Sequence, residues 1–435
     1  MKCNIFIQII LLLNLNLKIL SSSEEDLTLQ NLLDWCKKND IIISPLINIS
    51  YENRKFNVTA LEDIPAKTKI VKIPEKMILT VDKIIDYLNS PELKAQYDNF
   101  QNLKVDSYKE MNDELHKDEI FLSYLLYLVK HEKEKYQNTE FYKTFKELFL
   151  TIEKYVPNTP LLFTNEQKEF LSGTNLGFFS KEIRKIIDKQ INILKNSSFY
   201  NKEIDTNDFI LKRLFVSNRC YNTTKRQLGE IILVPLFNIF PFDNLVSNAR
   251  LNFKYKKNIK IITTYEIKKG KQITLFIKTR KSLEKAVIEG EMNSYSTSSK
   301  EKYLIPAFSP YIYYKYDIDD IKLIENHYFD LWDEYFEKNS RNFYMEHADV
   351  FKEKNANELW ACNMVEENIK YYKEYVEDLM KRLNELFQGE NEEKINMMNK
   401  ALKGEWNTLN RKYERMVTVC GFVKKRLEKQ ITEDL

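Results

Sequence analysis

The sequence predicts an α+β protein whose last third is all helix, and three observations predict it. Short β-prone runs separated by turn residues occupy Asn57 to Thr80 and return between Leu233 and Ile277. From Asp82 to about Lys202 the apolar residues recur instead at helical spacing. Beyond Ile305-Pro306-Ala307-Phe308-Ser309-Pro310, which reads as a domain boundary, the helical pattern continues almost to the end. At 435 residues there is chain enough for two domains and a large core. Hydrophobic residues make up 43% and charged residues 30%, the balance of a globular chain and not a disordered one.

Sixty-seven Lys and Arg against 64 Asp and Glu leave no general electrostatic case for a nucleic-acid partner. Only eight glycines are present, which limits any mechanism that needs a glycine-lined phosphate or cofactor loop. The histidines are His116, His131, His327 and His347, all in charged helical contexts that read as solvent-facing. No HExxH, GxSxG, Walker A or dinucleotide fingerprint occurs, and no metal site is expected.

Residues 1–23 form a separate unit. Lys2 precedes the apolar run Phe6 to Leu13, continued by Leu15, Leu17, Ile19 and Leu20, and Ser21-Ser22-Ser23 closes it. A basic start, an apolar stretch and small residues at the boundary describe a cleaved secretory signal. Asn14, Asn16 and Lys18 interrupt the run, so no membrane span is expected once it is removed. The reading places the protein in the secretory pathway or outside the cell, with an organellar presequence as the alternative. Sequons at Asn48, Asn57, Asn196 and Asn222 agree with secretion. Cys36, Cys220, Cys362 and Cys420 are widely spaced and form no CxxC pair, which permits two disulfides without requiring them.

Taken in order, Leu29, Leu32, Leu33 and Cys36 mark a first helix, with Trp35 beside them. Around Lys55 and Asn57 the chain reads as a polar turn. Ile64 to Pro74 is a turn and a short strand with Val71 and Ile73 on one face. Ile120, Leu122, Leu125, Leu126 and Val129 define one broad helical face, and Phe145, Leu148, Phe149 and Ile152 another. Leu233 to Phe240 is an apolar run that Pro235 keeps short or bulged, ending in the turn Pro241-Phe242-Asp243-Asn244. Lys260–Tyr265 and Gln272–Ile277 flank Lys268-Lys269-Gly270-Lys271, the pattern of a hairpin with a longer loop. Finally, Ile369, Tyr372, Val376, Leu379, Leu383 and Leu386 alternate spacings of three and four, as do Leu402, Trp406, Leu409, Tyr413, Met416 and Cys420. Two such helices around Gly389-Glu390-Asn391 make an antiparallel hairpin.

Leu233-Val234-Pro235-Leu236 through Asn238 resembles the Leu-Val-Pro-Leu-Ala-Asp-x-x-Asn-His segment of SET-domain methyltransferases. The branch is the one containing the Rubisco large-subunit lysine methyltransferase and the actin histidine methyltransferase. Trp35, Ala60, Ile64, Ile73 and Pro74 keep the frame of that family's first segment. Phe141 to Thr174 resembles its helical insert, and Asn218-Arg219-Cys220-Tyr221 aligns with its Ser-Arg-x-Phe. The resemblance implies a SET-like β fold over 24–304 with a helical insert at about 82–222, then a helical substrate-binding-like domain over 305–435. It also implies a pocket for S-adenosylmethionine at Arg54, Lys55, Phe56, Arg219, Asn238, Pro241, Phe242 and Ile277.

Most of those positions are substituted. The family's glycines fall on Lys55 and Asn57, its Asn-His pair on Pro241 and Phe242, and its catalytic tyrosine on Ile277. Ile277 has no hydroxyl, and Pro241 offers neither an amide side chain nor a backbone donor. The resemblance implies a cofactor-side role for Arg219, while the residues alone read as a helix cap or an ion pair. No catalytic residue is assigned and no bound cofactor is expected. The expected function is a degenerate SET protein with a non-catalytic binding or scaffold role and a protein partner. The alternatives are a working lysine or histidine N-methyltransferase using S-adenosylmethionine, and an organelle assembly subunit.

Overall fold

A computed structural model describes residues 27–52, 55–102, 115–196, 204–222, 231–242, 247–253, 258–276, 286–287 and 358–433. The expected signal segment at residues 1–23, Arg54, Ile277 and the expected boundary at Ile305–Pro310 lie outside the described residues. The chain divides into two compact units, one of Met1–Pro157 with Ile186–Arg280, the other of Asn158–Lys185 with Lys281–Leu435.

In the first unit, β1 (Ile42–Ile43), β4 (Lys69–Ile73), β8 (Ile259–Thr263) and β7 (Ala249–Asn252) form an antiparallel sheet in that spatial order. Ile and Val dominate these strands because a branched Cβ suits a pleated, half-buried surface. In β4, Ile70, Val71 and Ile73 are all buried. The pairing with β8 shifts register between Lys69 and Val71, and such a bulge turns two successive side chains inward. A second antiparallel pair joins β2 (Ile47–Glu52) to β3 (Lys55–Ala60), and a third joins β5 (Tyr221–Asn222) to β6 (Ile231–Ile232).

Two expectations change here. Lys55 and Asn57 belong to strand β3 and not to a polar turn, with Asn57 opposite Ser50 and Lys55 opposite Glu52. The hairpin expected around Lys268–Lys271 does not form. Both edges of β8 are taken by β4 and β7, so the chain beyond it pairs with β3. The Gly270 and Ile273 amides donate to Ala60 O (2.7 Å) and Val58 O (2.8 Å), and Gly270 makes the turn at φ +75°.

The first unit's helices are α1 (27–38), α2 (Val81–Leu88), α3 (Pro91–Asn102), α4 (Leu115–His131), α5 (Lys133–Tyr136) and α6 (Glu140–Glu153), with α9 (Thr206–Arg219) further on. Thr80, Thr139 and Asp205 cap α2, α6 and α9 through side-chain oxygens that accept first-turn amides. Trp35 is buried and donates from Nε1 to Thr144 O of α6 at 2.6 Å. Helix α4 departs from the single apolar face expected of it. Every residue from Ile120 to Val129 is buried, Phe121, Tyr124, Tyr127 and Leu128 included, as in a helix enclosed on all sides.

An ionic cluster ties α4, α6 and α9 together. Asp208 accepts from Lys130 Nζ at 2.5 Å and lies 2.8 Å from His131 Nε2, while Lys212 reaches Glu153 at 2.5 Å. Burial alone would raise the Asp208 pKa, but the Lys130 bond, the Lys212 charge and the His131 bond outweigh it and hold it below the usual range. His131 also stacks on Tyr127 with ring centroids 4.1 Å apart, so this histidine is part of the packing and not simply solvent-facing.

The second unit is built on α10 (Glu358–Leu386) and α11 (Glu392–Glu433). They form the expected hairpin, with Gly389 at φ +85° closing α10 and Asn391 Oδ1 accepting the Glu393 amide at the start of α11. Ile369, Val376, Leu379 and Leu383 are fully buried, as are Met398, Leu402 and Leu409. Leu386 is half-buried and Phe387 takes the last buried position in its place.

Asn158–Lys185 belongs with this hairpin. It contains α7 (Asn165–Phe170), opened by a reciprocal Thr164–Gln167 capping box, and the start of α8 (Asn175–Asn196). Phe163 and Phe170 stand edge-on to Phe387 at 5.7 and 6.1 Å, and Gln167 Nε2 donates to Glu390 at 2.9 Å. A Cβ on Gly177 would lie 1.9 Å from Leu171 O, so only glycine fits the entry to α8. Among the described residues no helix is long and apolar enough to cross a membrane.

Candidate functional site

Most of the described pocket positions converge in the first unit, next to β3. After β6, Leu233 bridges Leu79, Pro235 ends the pairing, and Leu236 takes φ +64°. The chain then makes a 3-10 turn, Phe237–Ile239, that packs on β3. This delivers Asn238, Pro241 and Phe242 to the strand that carries Lys55 and Phe56. The alternation of β3 separates those last two. Val58 and Ala60 share the buried side with half-buried Phe56, while Lys55 is exposed and Asn57 Oδ1 accepts from Gln272 Nε2 at 2.8 Å.

Arg219 arrives from another direction, as the last residue of α9, where a cation suits the negative end of the helix dipole. Its Nη1 donates to Phe240 O at 3.1 Å. The guanidinium carbon sits 4.4 Å from the Phe242 ring centroid and 5.2 Å from that of Tyr155. Phe242 is fixed in turn by the edge of Phe237 at 5.2 Å. The segment is tied down again where Leu275 N donates to Pro241 O at 2.9 Å, in a parallel bridge between Phe242 and Leu275. Among the described residues Arg219 thus forms no ion pair, and it does more than cap its helix. It is a cation held between two aromatic rings and the Phe240 carbonyl, an arrangement worth about 1–2 kcal/mol when partly desolvated.

Asn238 Nδ2 donates to Thr151 Oγ1 at 3.0 Å, and the Thr151 hydroxyl donates in turn to Leu148 O at 2.7 Å. Arg219 Nε and Asn238 Oδ1 are buried and have no hydrogen-bond partner among the described residues. Cys220, next in sequence to Arg219, is fully enclosed as a free thiol. Burial, reinforced by the Glu119 charge, pushes its pKa well up, so it stays protonated and is no nucleophile. Cys36 is likewise a buried free thiol, pushed up to about 12 by burial.

The structure therefore brings Arg219, Asn238, Pro241, Phe242 and the β3 backbone together, and leaves the Lys55 side chain on the exposed side of its strand. Tyr155, Thr151, Phe240 and Leu275 complete the cluster without having been singled out in the sequence. Nothing local marks them, because their part comes from α6 and from the chain beyond Gly270 folding back on the 3-10 turn.

No family model matches the chain, and no curated protein is similar to it in sequence. Solved structures are similar in fold. The SET domain of LSMT bound to lysine and AdoHcy superposes with a TM-score of 0.56 at 12% identity, covering 92% of this chain and 93% of that one. Rubisco LSMT bound to sinefungin and monomethyllysine, and Rubisco LSMT bound to AdoMet, each give 0.53 at 12% identity over the same shares. The chain has the SET-like fold of these proteins, with a helical C-terminal region in α10 and α11.

Proposed function

We propose that the chain is a non-catalytic binding or scaffold protein that keeps a SET-like fold without S-adenosylmethionine-dependent methyl transfer. The observation that carries this reading is the Arg219–Phe242 stack. Where the resemblance places a cofactor-side arginine and the polar Asn-His pair, the guanidinium lies on Phe242 and bonds to Phe240 O. The Pro241 carbonyl is spent on the Leu275 amide. These groups do not fit S-adenosylmethionine. A proline nitrogen cannot donate, and a phenyl ring replaces none of the imidazole's hydrogen bonds. The orphan atoms Arg219 Nε and Asn238 Oδ1 supply one donor and one acceptor, too few to replace the lost pair.

Each absent hydrogen bond is worth about 1 kcal/mol, and more for a polar cofactor group left unpaired in a closed pocket. Together they weaken binding by several orders of magnitude. Titration calorimetry of the purified chain with S-adenosylmethionine is expected to show no heat, and radiolabelled methyl is expected to reach no candidate protein. A micromolar dissociation constant overturns the reading.

A second reading, a lysine or histidine N-methyltransferase with an unusual site, is favoured by one observation. The likeness spans 92% of the chain, and the solved structures of similar fold have AdoHcy or AdoMet bound. The same titration separates the two. The non-catalytic reading includes a protein partner and residence in the secretory pathway or outside the cell. N-terminal sequencing of the protein from its own cells is expected to find a mature chain starting near Glu24, and an intact Met1 would remove the secretory part of the proposal.

A further inference from the structure

Strands β2 and β3 lock two sequons into one another. Asn48-Ile49-Ser50 lies on β2 and Asn57-Val58-Thr59 on β3. The antiparallel register sets Asn48 opposite Thr59 and Ser50 opposite Asn57. Because strand side chains alternate, Ile47, Ile49, Val58 and Ala60 fill the buried face. The four polar sequon residues therefore stand together on the other face. The motif alone treats the two asparagines alike; their surroundings separate them.

Asn48 is exposed, on a strand that among the described residues pairs with β3 alone. Strand β2 runs for six residues in unbroken register, with no Pro, no Lys and no bulge. Edge strands of that kind usually carry something that stops a further strand from adding, and a bulky hydrated group on Asn48 supplies it. Asn57 is half-buried and hemmed in on both sides. Ser50 lies across from it on β2, and on the other side Thr59 bridges Gln272, whose Nε2 donates to Asn57 Oδ1 at 2.8 Å. A secondary amide is trans, which places a substituent on the nitrogen on the oxygen's side of the C–N bond. A sugar on Asn57 Nδ2 would thus fall where the Gln272 side chain sits.

From this geometry we infer that Asn48 carries an N-linked glycan in the folded protein and that Asn57 does not. Modification at Asn48 requires the secretory residence proposed above, and so rests on that reading. The donor is a lipid-linked oligosaccharide diphosphate of that compartment. Asn48 Nδ2 bonds to the anomeric carbon as the bond from that carbon to the diphosphate oxygen breaks. The lipid diphosphate leaves with the electron pair and takes up the proton that the amide gives away. Ser50 completes the acceptor motif. A chain that received a glycan at Asn57 before Gln272 was made could not seat Gln272, so such chains are absent from the folded protein.

Protein purified from its own cells, treated with a glycan-releasing amidase in heavy-oxygen water and then digested, reports both asparagines and the N-terminus in one peptide map. Release converts a glycosylated Asn to an isotope-labelled Asp. The label is expected at position 48 and not at position 57, in a chain that starts near Glu24. A label at position 57 overturns the inference and leaves the secretory reading standing, as does an unlabelled position 48 in a chain with that mature start. An intact Met1 with no label removes both. Ser50→Ala, which keeps Asn48 but breaks its motif, is expected to lose the label at position 48 and to migrate faster on a gel by one glycan. Thr59→Ala is expected to migrate as the wild type does. A Ser50→Ala chain that keeps the label, or a Thr59→Ala chain that loses a glycan, overturns the inference.

Discussion

Asp208→Ala is expected to lower stability at pH 7 by about 3–5 kcal/mol, because it removes one partner from a buried ionic cluster. Lys130 can turn its head toward water, but Lys212, with only 3% of its side chain exposed, keeps Glu153 alone. The pH dependence has a definite sign. The Asp208 pKa is held below its ordinary value in the folded state. Its contribution is therefore complete above about pH 4 and fades as the pH falls through the lowered folded value. Urea unfolding of the two proteins at pH 7 and at pH 3 measures this. The gap between them should be wide at pH 7 and narrower at pH 3. A gap under about 1 kcal/mol at pH 7 would mean that the cluster adds nothing over its solvated parts.

Leu383→Asp is expected to have a still larger effect on the second unit. Leu383 has no exposed surface and sits in the α10–α11 seam. An aspartate there must stay ionised without a partner, take up a proton, or separate the helices. Leu383→Ala provides the scale, at about 2–5 kcal/mol for the lost methyl groups and the cavity. Melting followed by circular dichroism should lose the cooperative transition of the hairpin in the aspartate variant and only lower it in the alanine one. An unchanged melting temperature for Leu383→Asp would mean that the seam is not packed as described. The apolar seam is used up inside the hairpin, so the protein partner proposed above must engage other faces.

The seam was legible in the sequence because heptad spacing reports which residues of a helix share a side. Spacing does not report what lies against that side. Leu386 and Phe387 are adjacent and both apolar, and the contacts of Phe387 with Phe163 and Phe170 decide which one is buried. Helix α4 was under-read for a related reason. Tyr124 and Tyr127 look amphipathic in sequence, yet the ionic cluster beside them lets α9 cover a face that would otherwise meet water. The mistaken hairpin around Gly270 shows the limit for strands. Two β-prone runs flanking a turn predict local pairing, but β8 already had β4 and β7 as neighbours.

At the candidate site, Arg219, Asn238, Pro241 and Phe242 were singled out through the resemblance, position by position. That Arg219 would lie on Phe242 was not visible, since the two are joined only after α9 and the 3-10 turn reach the same end of β3. The resemblance also placed Lys55 in the pocket, and strand alternation sends its side chain to the exposed side instead.

The second unit is assembled from pieces far apart along the chain, with Asn175 waiting for a carboxylate 230 residues further on. At synthesis rates of about 5–20 residues per second, that interval is on the order of ten to fifty seconds. Throughout it Phe163 and Leu171, both buried in the finished protein, have no hairpin to cover them. The emerging chain therefore presents an apolar segment to the cell until α11 is complete. A ribosome that stops before Phe387 leaves that segment uncovered for good, and such fragments are marked for chaperones and proteases by the residues that later close the fold.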